Sequence, residues 1–474
     1  MAANYSTFVK RVVPRLALLS LCLLAVRAPY PIALREYLER GANAFHNGDL
    51  GIALDAYHQA LIFLPSDAFI LQQLYRIAFT ARRYDLAQAY LAQLTEQHSY
   101  SSALHRLWAE FFAAQGDSYA ADAHRLAALK GSPADVLLLR ALAESALRRR
   151  AWERAAEHLE RAHALAPDDP DVRYALALLC LPDQPQRAAA LLGDLPDQPR
   201  FGAAPALRAL IRAHDQETDA TFAFRSGLAL IEARQWQYAE RALRLANAQG
   251  VDLPAARAFL GLAQSVNGRD GIPLIEQALQ AAPDDALVQY AAGLYWRLRG
   301  DLAQALSALR LAYVLDSQNA GLAAEIGQTY RQSGNLAEAA RWLNNAVRLA
   351  PQDAALRRAV AAFYADENYA LNGEGMAFLR ESLTFLPADP EIAANYGYAL
   401  LYNGQVQLAY AELQRALALD SQNPRARYYF AVLLEHQGDL GSAIESYRFA
   451  YQHAEDMLKL RAERALERLS APLP

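Results

Sequence analysis

The stretch that decides the fold is residues 320–353, which read AGLAAEIGQTYRQSGNLAEAARWLNNAVRLAPQD. Apolar residues recur in this stretch at steps of three and four, and the pattern is interrupted near Gly334 and again near Pro351. Such steps are those of an amphipathic α-helix, whereas glycine commonly ends a helix and proline commonly begins one. The stretch therefore predicts two amphipathic helices separated by short turns.

The same pattern returns along the chain with a period of 34 residues, for example at residues 136–169 and 34–67. Regular copies also fit at residues 68–101, 102–135, 220–253, 286–319, 390–423 and 424–457, and copies of altered length at 254–285 and 354–389. One pair of helices cannot bury its apolar faces alone, so neighbouring pairs must stack. The sequence predicts an all-α solenoid of about twelve repeats, closed by a capping helix within residues 458–474.

The residues that occupy fixed positions in this period resemble the tetratricopeptide repeat. Within residues 320–353 they are Ile326, Gly327, Tyr330, Gly334, Ala339, Leu343, Ala346 and Pro351. The resemblance covers nearly everything after the first thirty residues and implies a right-handed solenoid of helix-turn-helix repeats. Glycine at the fifteenth position predicts a left-handed turn, and alanine at the twentieth predicts close approach of the paired helices. Larger residues at the twenty-fourth position are expected to face the next repeat.

The resemblance also implies a binding surface. In this family, four positions of each first helix line a concave groove that holds an extended peptide or a helix. Tyrosine and arginine are frequent hot spots of binding surfaces. The alternative is that several of these tyrosines only pack against adjacent helices. In this chain the groove positions are occupied by Tyr290, Leu294, Arg297, Gln328, Arg331, Tyr398, Leu401, Arg425, Tyr428 and Glu435.

Five segments follow from these patterns. The sequence predicts a leader at residues 1–30, a first array at 34–169, a proline-rich joint at 170–219, a second array at 220–457, and the capping helix and tail at 458–474. The joint is expected to contain short helices near 186–192 and 203–214, and it is either a hinge, a docking loop or a decayed repeat that still packs. An insertion at residues 366–376 is expected to be a surface loop.

The leader resembles an export signal. Lys10, Arg11 and Arg15 precede the apolar run LALLSLCLLAV at residues 16–26. This run is shorter than the roughly 20 residues of a membrane-spanning helix. Positive charges before it favour a cytoplasmic amino end and an exported body. We therefore expect a signal peptide or an uncleaved membrane anchor, and a location on the periplasmic or extracellular side. The alternative is the first helix of a cytoplasmic protein.

Charge and motifs disfavour several other classes of function. The formal net charge is −5 and no concentrated basic stripe occurs, so nucleic acid is not expected as a partner. No phosphate-loop, zinc-protease, calcium-loop or nucleophile-elbow motif is present. His158 and His163 are five residues apart, which places them on different faces of a helix. We expect no enzyme activity, no cofactor and no metal.

Four charged side chains are expected to form ordinary surface pairs, Arg106 with Glu110 and Arg140 with Glu144. A glutamate so close to each arginine also disfavours a clamp for the terminal carboxylate of a chaperone. The sequence thus predicts a non-catalytic scaffold that presents a concave helical groove to a protein or peptide, outside the cytoplasm. The alternatives are a cytoplasmic assembly adaptor and an accessory subunit of a polysaccharide or glycan export system.

Overall fold

The computed structural model of the protein describes residues 32–97, 101–196, 198–214, 218–248 and 253–470. These residues form helices and turns, and no β-strand occurs among them. The expected leader at residues 1–30 lies outside them. Of the helices in these ranges, none has both the length and the hydropathy that crossing a membrane requires.

The chain divides into two compact units, Met1–Ile211 and Arg212–Pro474, here called the N-terminal unit and the C-terminal unit. The boundaries expected for the two arrays and the joint stay predictions. Helices do occur in the proline-rich stretch, close to where the sequence places them. The helices that begin in the N-terminal unit are α1 (Ile32–His46), α2 (Leu50–Phe63), α3 (Ala68–Thr80), α4 (Tyr84–Gln97), α5 (Ser102–Ala114), α6 (Ser118–Gly131), α7 (Val136–Arg148), α8 (Trp152–Leu165), α9 (Pro170–Cys180), α10 (Pro185–Leu192), a 3-10 turn at Pro199–Phe201, and α11 (Ala204–Arg212).

In each unit, consecutive helices pack in pairs. In the C-terminal unit, the last helix packs against the second helix of the last pair. This arrangement confirms the predicted all-α fold of helix-turn-helix repeats with a terminal helix. The helices are α12 (Asp219–Glu232), α13 (Trp236–Ala248), α14 (Pro254–Val266), α15 (Ile272–Ala281), α16 (Ala286–Leu298), α17 (Leu302–Leu315), α18 (Ala320–Gln332), α19 (Leu336–Leu349), α20 (Ala354–Asp366), α21 (Glu374–Phe385), α22 (Pro390–Tyr402), α23 (Val406–Leu419), α24 (Pro424–His436), α25 (Leu440–His453) and α26 (Asp456–Ser470).

The helix boundaries follow from the residues at the turns. Most first helices begin after an aspartate or asparagine whose side chain accepts a hydrogen bond from the backbone, as Asp353 does from the N–H of Leu356 at 2.9 Å. The turn inside a repeat needs a left-handed residue, and Gly334 supplies it with φ of +77°. The left-handed glycine predicted at the fifteenth position is confirmed there and at Gly116, Gly300, Gly404 and Gly438.

Close packing inside each repeat depends on two small residues. Ala339, at the twentieth position, is fully buried, as are its equivalents in the other regular repeats. Gly327 leaves a slot for Leu343, because a Cβ at Gly327 would lie 2.7 Å from Cγ of that leucine. Leu343 was expected to face the next repeat, whereas in the structure it also packs against the first helix of its own repeat. A glycine and a leucine at the equivalent positions pack in the same way in the repeats that contain Gly227, Gly293 and Gly397.

Arginines tie neighbouring repeats together. Arg140 on α7 donates to Asp171 in the first turn of α9 at 3.0 Å, so the predicted surface pair with Glu144 is wrong. The reason is that the first turn of the next first helix lies beside the arginine and presents a partly buried carboxylate. The guanidinium group of Arg140 is therefore neutralised by an aspartate of the next repeat. This ion pair, rather than one with a nearby glutamate, opposes binding of a terminal carboxylate. Arg106 pairs in the same way with Asp135, not Glu110, and Arg358 with Asp389.

Candidate functional site

All the predicted groove residues lie on first helices of the C-terminal unit, namely α16, α18, α22 and α24. The structure brings some of them together in two separate clefts. Gln328 lies half-buried on α18 and lines neither cleft. Leu401 is also half-buried and packs with the apolar cluster of α22 and α24.

The first cleft lies in the last repeats and has a volume of about 570 Å³; it is here called the tyrosine cleft. It contains three of the predicted groove residues, Tyr398, Tyr428 and Glu435. Its walls come from α22, α24, α25, α26 and the turn after α20. The other lining residues are Asp366, Asn368, Tyr429, Val432, His436, Tyr447, Arg461 and Arg468.

Four tyrosine rings form the aromatic wall of this cleft. Tyr398 stacks on Tyr429 with the ring centroids 4.4 Å apart and the planes at 13°. Tyr428 makes tilted, edge-like contacts with Tyr429 and Tyr447, each with centroids 5.5 Å apart. Tyr429 is buried, whereas Tyr398 and Tyr428 are half-buried. Burial raises the pKa of Tyr398 and Tyr428, so both phenols stay neutral and able to donate a hydrogen bond.

A carboxylate at the end of α20 organises one side of the cleft. Oδ1 of Asp366 accepts hydrogen bonds from Arg425 at 2.8 Å, from Arg461 at 3.0 Å and from the hydroxyl of Tyr429 at 3.2 Å. Arg461 also donates to the backbone carbonyl of Asp366 at 2.6 Å. Asp366 therefore joins α20, α24 and α26 through one partly buried side chain.

A second carboxylate holds the other side. Arg468 of α26 grips both oxygens of Glu435, and the hydroxyl of Tyr447 donates to Oε2 of Glu435 at 2.9 Å. The hydrogen bonds from Arg468, more than that from Tyr447, hold the pKa of Glu435 below its usual value. Glu435 is thus ionised at neutral pH, and its charge is compensated by α26.

The predicted groove arginines serve as cross-links. Arg331 donates to Glu367 at 2.6–2.7 Å, and Arg425 is held by Asp366. Arg297 pairs with Glu325 of the next first helix. Arg297 and Arg331 link neighbouring repeats, and Arg425 links α24 to α20, the first helix two repeats earlier. All three arginines are therefore already paired within the protein.

The second cleft is smaller and largely apolar. It measures about 280 Å³ and contains the predicted residues Tyr290 and Leu294, together with Phe259 and Leu322. Tyr290 meets Phe259 with ring centroids 5.9 Å apart, and burial raises the pKa of its phenol. The two groups of predicted residues therefore belong to surfaces of different chemistry.

Sequence analysis missed the contribution of the irregular turn and of the last helix. Asp366 and Asn368 begin the insertion that was expected to be only a surface loop, yet both line the tyrosine cleft. Arg461 and Arg468 belong to the helix that was expected only to cap the solenoid. They are seven residues apart and therefore lie on one stripe of α26, a signal that could have indicated a shared role.

Nothing in the described ranges groups three or more histidine, cysteine, aspartate or glutamate side chains in a way that could hold a metal ion. His158 and His163 lie on α8, and each has a buried ring Nδ1 with no hydrogen-bond partner among the described residues. The tyrosine cleft itself presents neutral phenols and paired charges.

Comparison with known proteins identifies the repeats. A sequence profile of the tetratricopeptide repeat family matches residues 264–320 and 397–456. The chain carries tetratricopeptide repeats in these two ranges. The second matched range includes Tyr398, Tyr428 and Glu435, so the tyrosine cleft is built largely from tetratricopeptide-repeat sequence. This fold supports a role as a protein-interaction scaffold.

Several solved structures of tetratricopeptide-repeat type are similar to this chain, whereas no curated protein matches it in sequence. Yeast Tom70 is 14% identical over 92% of this chain and 95% of its own, with a TM-score of 0.39. A tetratricopeptide repeat protein from Parabacteroides merdae is 14% identical over 53% of this chain and 99% of its own, with a TM-score of 0.40. The APC/C hetero-tetramer Cut9-Hcn1 is 12% identical over 92% and 96%, with a TM-score of 0.30.

Proposed function

We propose that the protein is an exported scaffold that binds a protein partner through the first helices of its C-terminal unit. Residues 1–30 serve as its signal peptide or as its membrane anchor. The partner places a peptide segment or a helix against the inner first-helix surface, and the scaffold itself changes little. The proposal gives the chain a binding role and no catalytic one.

The observation that carries this proposal is the state of Tyr428 in the tyrosine cleft. Its ring is held by Tyr429 and Tyr447, so it loses little side-chain freedom on binding. Its hydroxyl has no hydrogen-bond partner among the described residues, although the hydroxyls of Tyr398, Tyr429 and Tyr447 all donate to side chains. A rigid aromatic ring with a free polar group is typical of a binding hot spot.

Site-specific photo-crosslinking tests the binding surface. A photoreactive phenylalanine analogue replaces either Tyr428 or Tyr398 in the full-length protein, and in a matched control it replaces Tyr410, an exposed tyrosine on the second helix α23. We expect a discrete crosslinked protein at position 428 and at position 398, and none at position 410. Equal crosslinking at all three positions would reject the cleft as the binding surface.

Export is tested separately. Residues 1–35 are fused to a reporter that functions only outside the cytoplasm, and a second fusion replaces Leu19 and Leu23 by arginine. We expect activity from the first fusion and none from the second. An inactive first fusion would overturn the exported location without affecting the binding surface.

A further inference from the structure

The charges of the tyrosine cleft cancel, and half of them come from the last helix. Its lining contains two carboxylates, Asp366 and Glu435, and two guanidinium groups, Arg461 and Arg468. Each guanidinium is bonded to one of the carboxylates. Without α26, the lining would hold two acidic side chains and no guanidinium group. Asp366 would keep its pairs with Arg425 at 2.8 Å and Arg331 at 3.8 Å, both outside the lining, whereas Glu435 would lose the guanidinium group of Arg468.

We propose that α26 determines which segments of a partner protein the tyrosine cleft accepts, by making the cleft electrically neutral and so selecting an uncharged segment. This inference rests on the proposed binding function and adds the chemistry of the partner. A charged segment would have to leave water for a site whose carboxylates and guanidinium groups are already paired, and it would gain no partner in return. An uncharged segment loses no such hydration.

The remaining polar groups of the cleft fit an uncharged peptide. Oδ1 of Asn368 accepts from Tyr398 at 2.7 Å, which leaves the amide Nδ2 of Asn368 without a partner among the described residues. The Tyr428 hydroxyl is likewise without one, as noted above. One amide donor and one hydroxyl, next to tyrosine rings, can bond backbone carbonyl and N–H groups while an aromatic or proline side chain packs on the rings.

The test is selection of a random peptide library on immobilised full-length protein, read as the mean net charge of the enriched peptides. The variants are Arg461→Gln with Arg468→Gln, which leaves two carboxylates and no guanidinium group in the lining, and Arg464→Gln on the exposed side of α26 as the matched control. A third variant, Glu435→Gln with Arg468→Gln, removes one ion pair and keeps the lining neutral. Folding of every variant is checked by its thermal melt.

We expect uncharged peptides from the wild type, the Arg464 variant and the neutral pair variant. We expect arginine- and lysine-bearing peptides from the double arginine variant, bound by it at least about tenfold more tightly than by the wild type. Uncharged peptides from the double arginine variant, or charged peptides from the wild type, would overturn the role of α26. If Tyr428→Ala still enriched the same peptides as the wild type, the proposed binding surface would be contradicted instead. Failure of the role of α26 can therefore be distinguished from failure of the proposed binding surface.

If the double arginine variant has a much lower melting temperature than the wild type, the inference is tested by comparing the neutral pair variant with the single variant Arg468→Gln. They differ only in the charge of residue 435, so a shift toward basic peptides in Arg468→Gln but not in the pair variant supports the inference. The same peptides from both variants would contradict it.

Discussion

At the scale of single residues, the fold depends on contacts between very small and larger side chains. Gly327 and Leu343 show this most clearly, because the leucine fills the space that the missing side chain leaves. The interior of such a repeat has no room for even one added methyl group. The glycine is therefore required for its lack of a side chain rather than for backbone freedom.

Gly327→Ala is expected to destabilise the full-length protein by about 1–3 kcal/mol through overpacking. The same substitution at Gly441, which lies in α25 with no atom closer than 3.8 Å to the added Cβ, is expected to stabilise it by up to about 1 kcal/mol. Urea unfolding of the two variants measures both changes. A gain of equal size at both positions would mean that helix propensity, and not the contact with Leu343, controls the effect.

A histidine pair in the N-terminal unit gives stability a dependence on pH. Nδ1 of His105 and Nδ1 of His124 are 3.0 Å apart, so at least one ring must be neutral. Burial, followed by the charge of His105, lowers the pKa of His124. Because the unfolded chain then binds the proton more readily, stability is complete above the unfolded pKa of about 6.5 and falls as the pH drops below it.

When the pH is lowered from about 7.5 to about 5.5, the urea midpoint of the His124→Gln variant is expected to fall by less than that of the wild type. The pKa of His158 is lowered by burial as well, so a smaller slope remains in the variant. Identical slopes in the two proteins would show that the histidine pair does not contribute to the acid sensitivity.

At the scale of helices and turns, most boundaries could be predicted because each repeat carries its own start and stop residues. Gly334 acts locally, through a left-handed turn, so periodicity in the sequence was enough to locate it. Asp353 also acts locally, as a cap, although it was not among the predicted positions. The cleft could not be predicted in this way. The bond from Arg461 to Asp366 joins residues 95 positions apart, and no local pattern encodes such a contact.

Asp353→Ala is expected to destabilise the protein by about 1 kcal/mol, because the N–H of Leu356 loses its acceptor. Asp353→Asn keeps a cap and is expected to cost only a small part of this. The free energy of unfolding in urea measures the difference. Equal losses in the two variants would indicate that the charge of Asp353, rather than its capping bond, stabilises α20.

At the scale of the whole molecule, the C-terminal unit combines repeat-encoded helices with one feature that is not repeated. The resemblance to the tetratricopeptide family placed the candidate residues on first helices, where the structure has them, but it treated them as equivalent positions. The structure separates them into cross-links such as Arg331, an apolar cleft around Tyr290, and the tyrosine cleft. The tyrosine cleft differs from the other two because the turn after α20 and α26 contribute side chains to its lining.

The central claim is that the tyrosine cleft holds a protein partner, and the most direct measurement is partner recovery by Tyr428→Ala. The full-length variant, the wild type and Tyr410→Ala are purified in parallel from native membranes, and the partner identified by crosslinking is quantified. We predict at least a tenfold loss for Tyr428→Ala, as for an aromatic hot spot, and none for Tyr410→Ala. Undiminished recovery by a folded Tyr428→Ala protein would contradict the account.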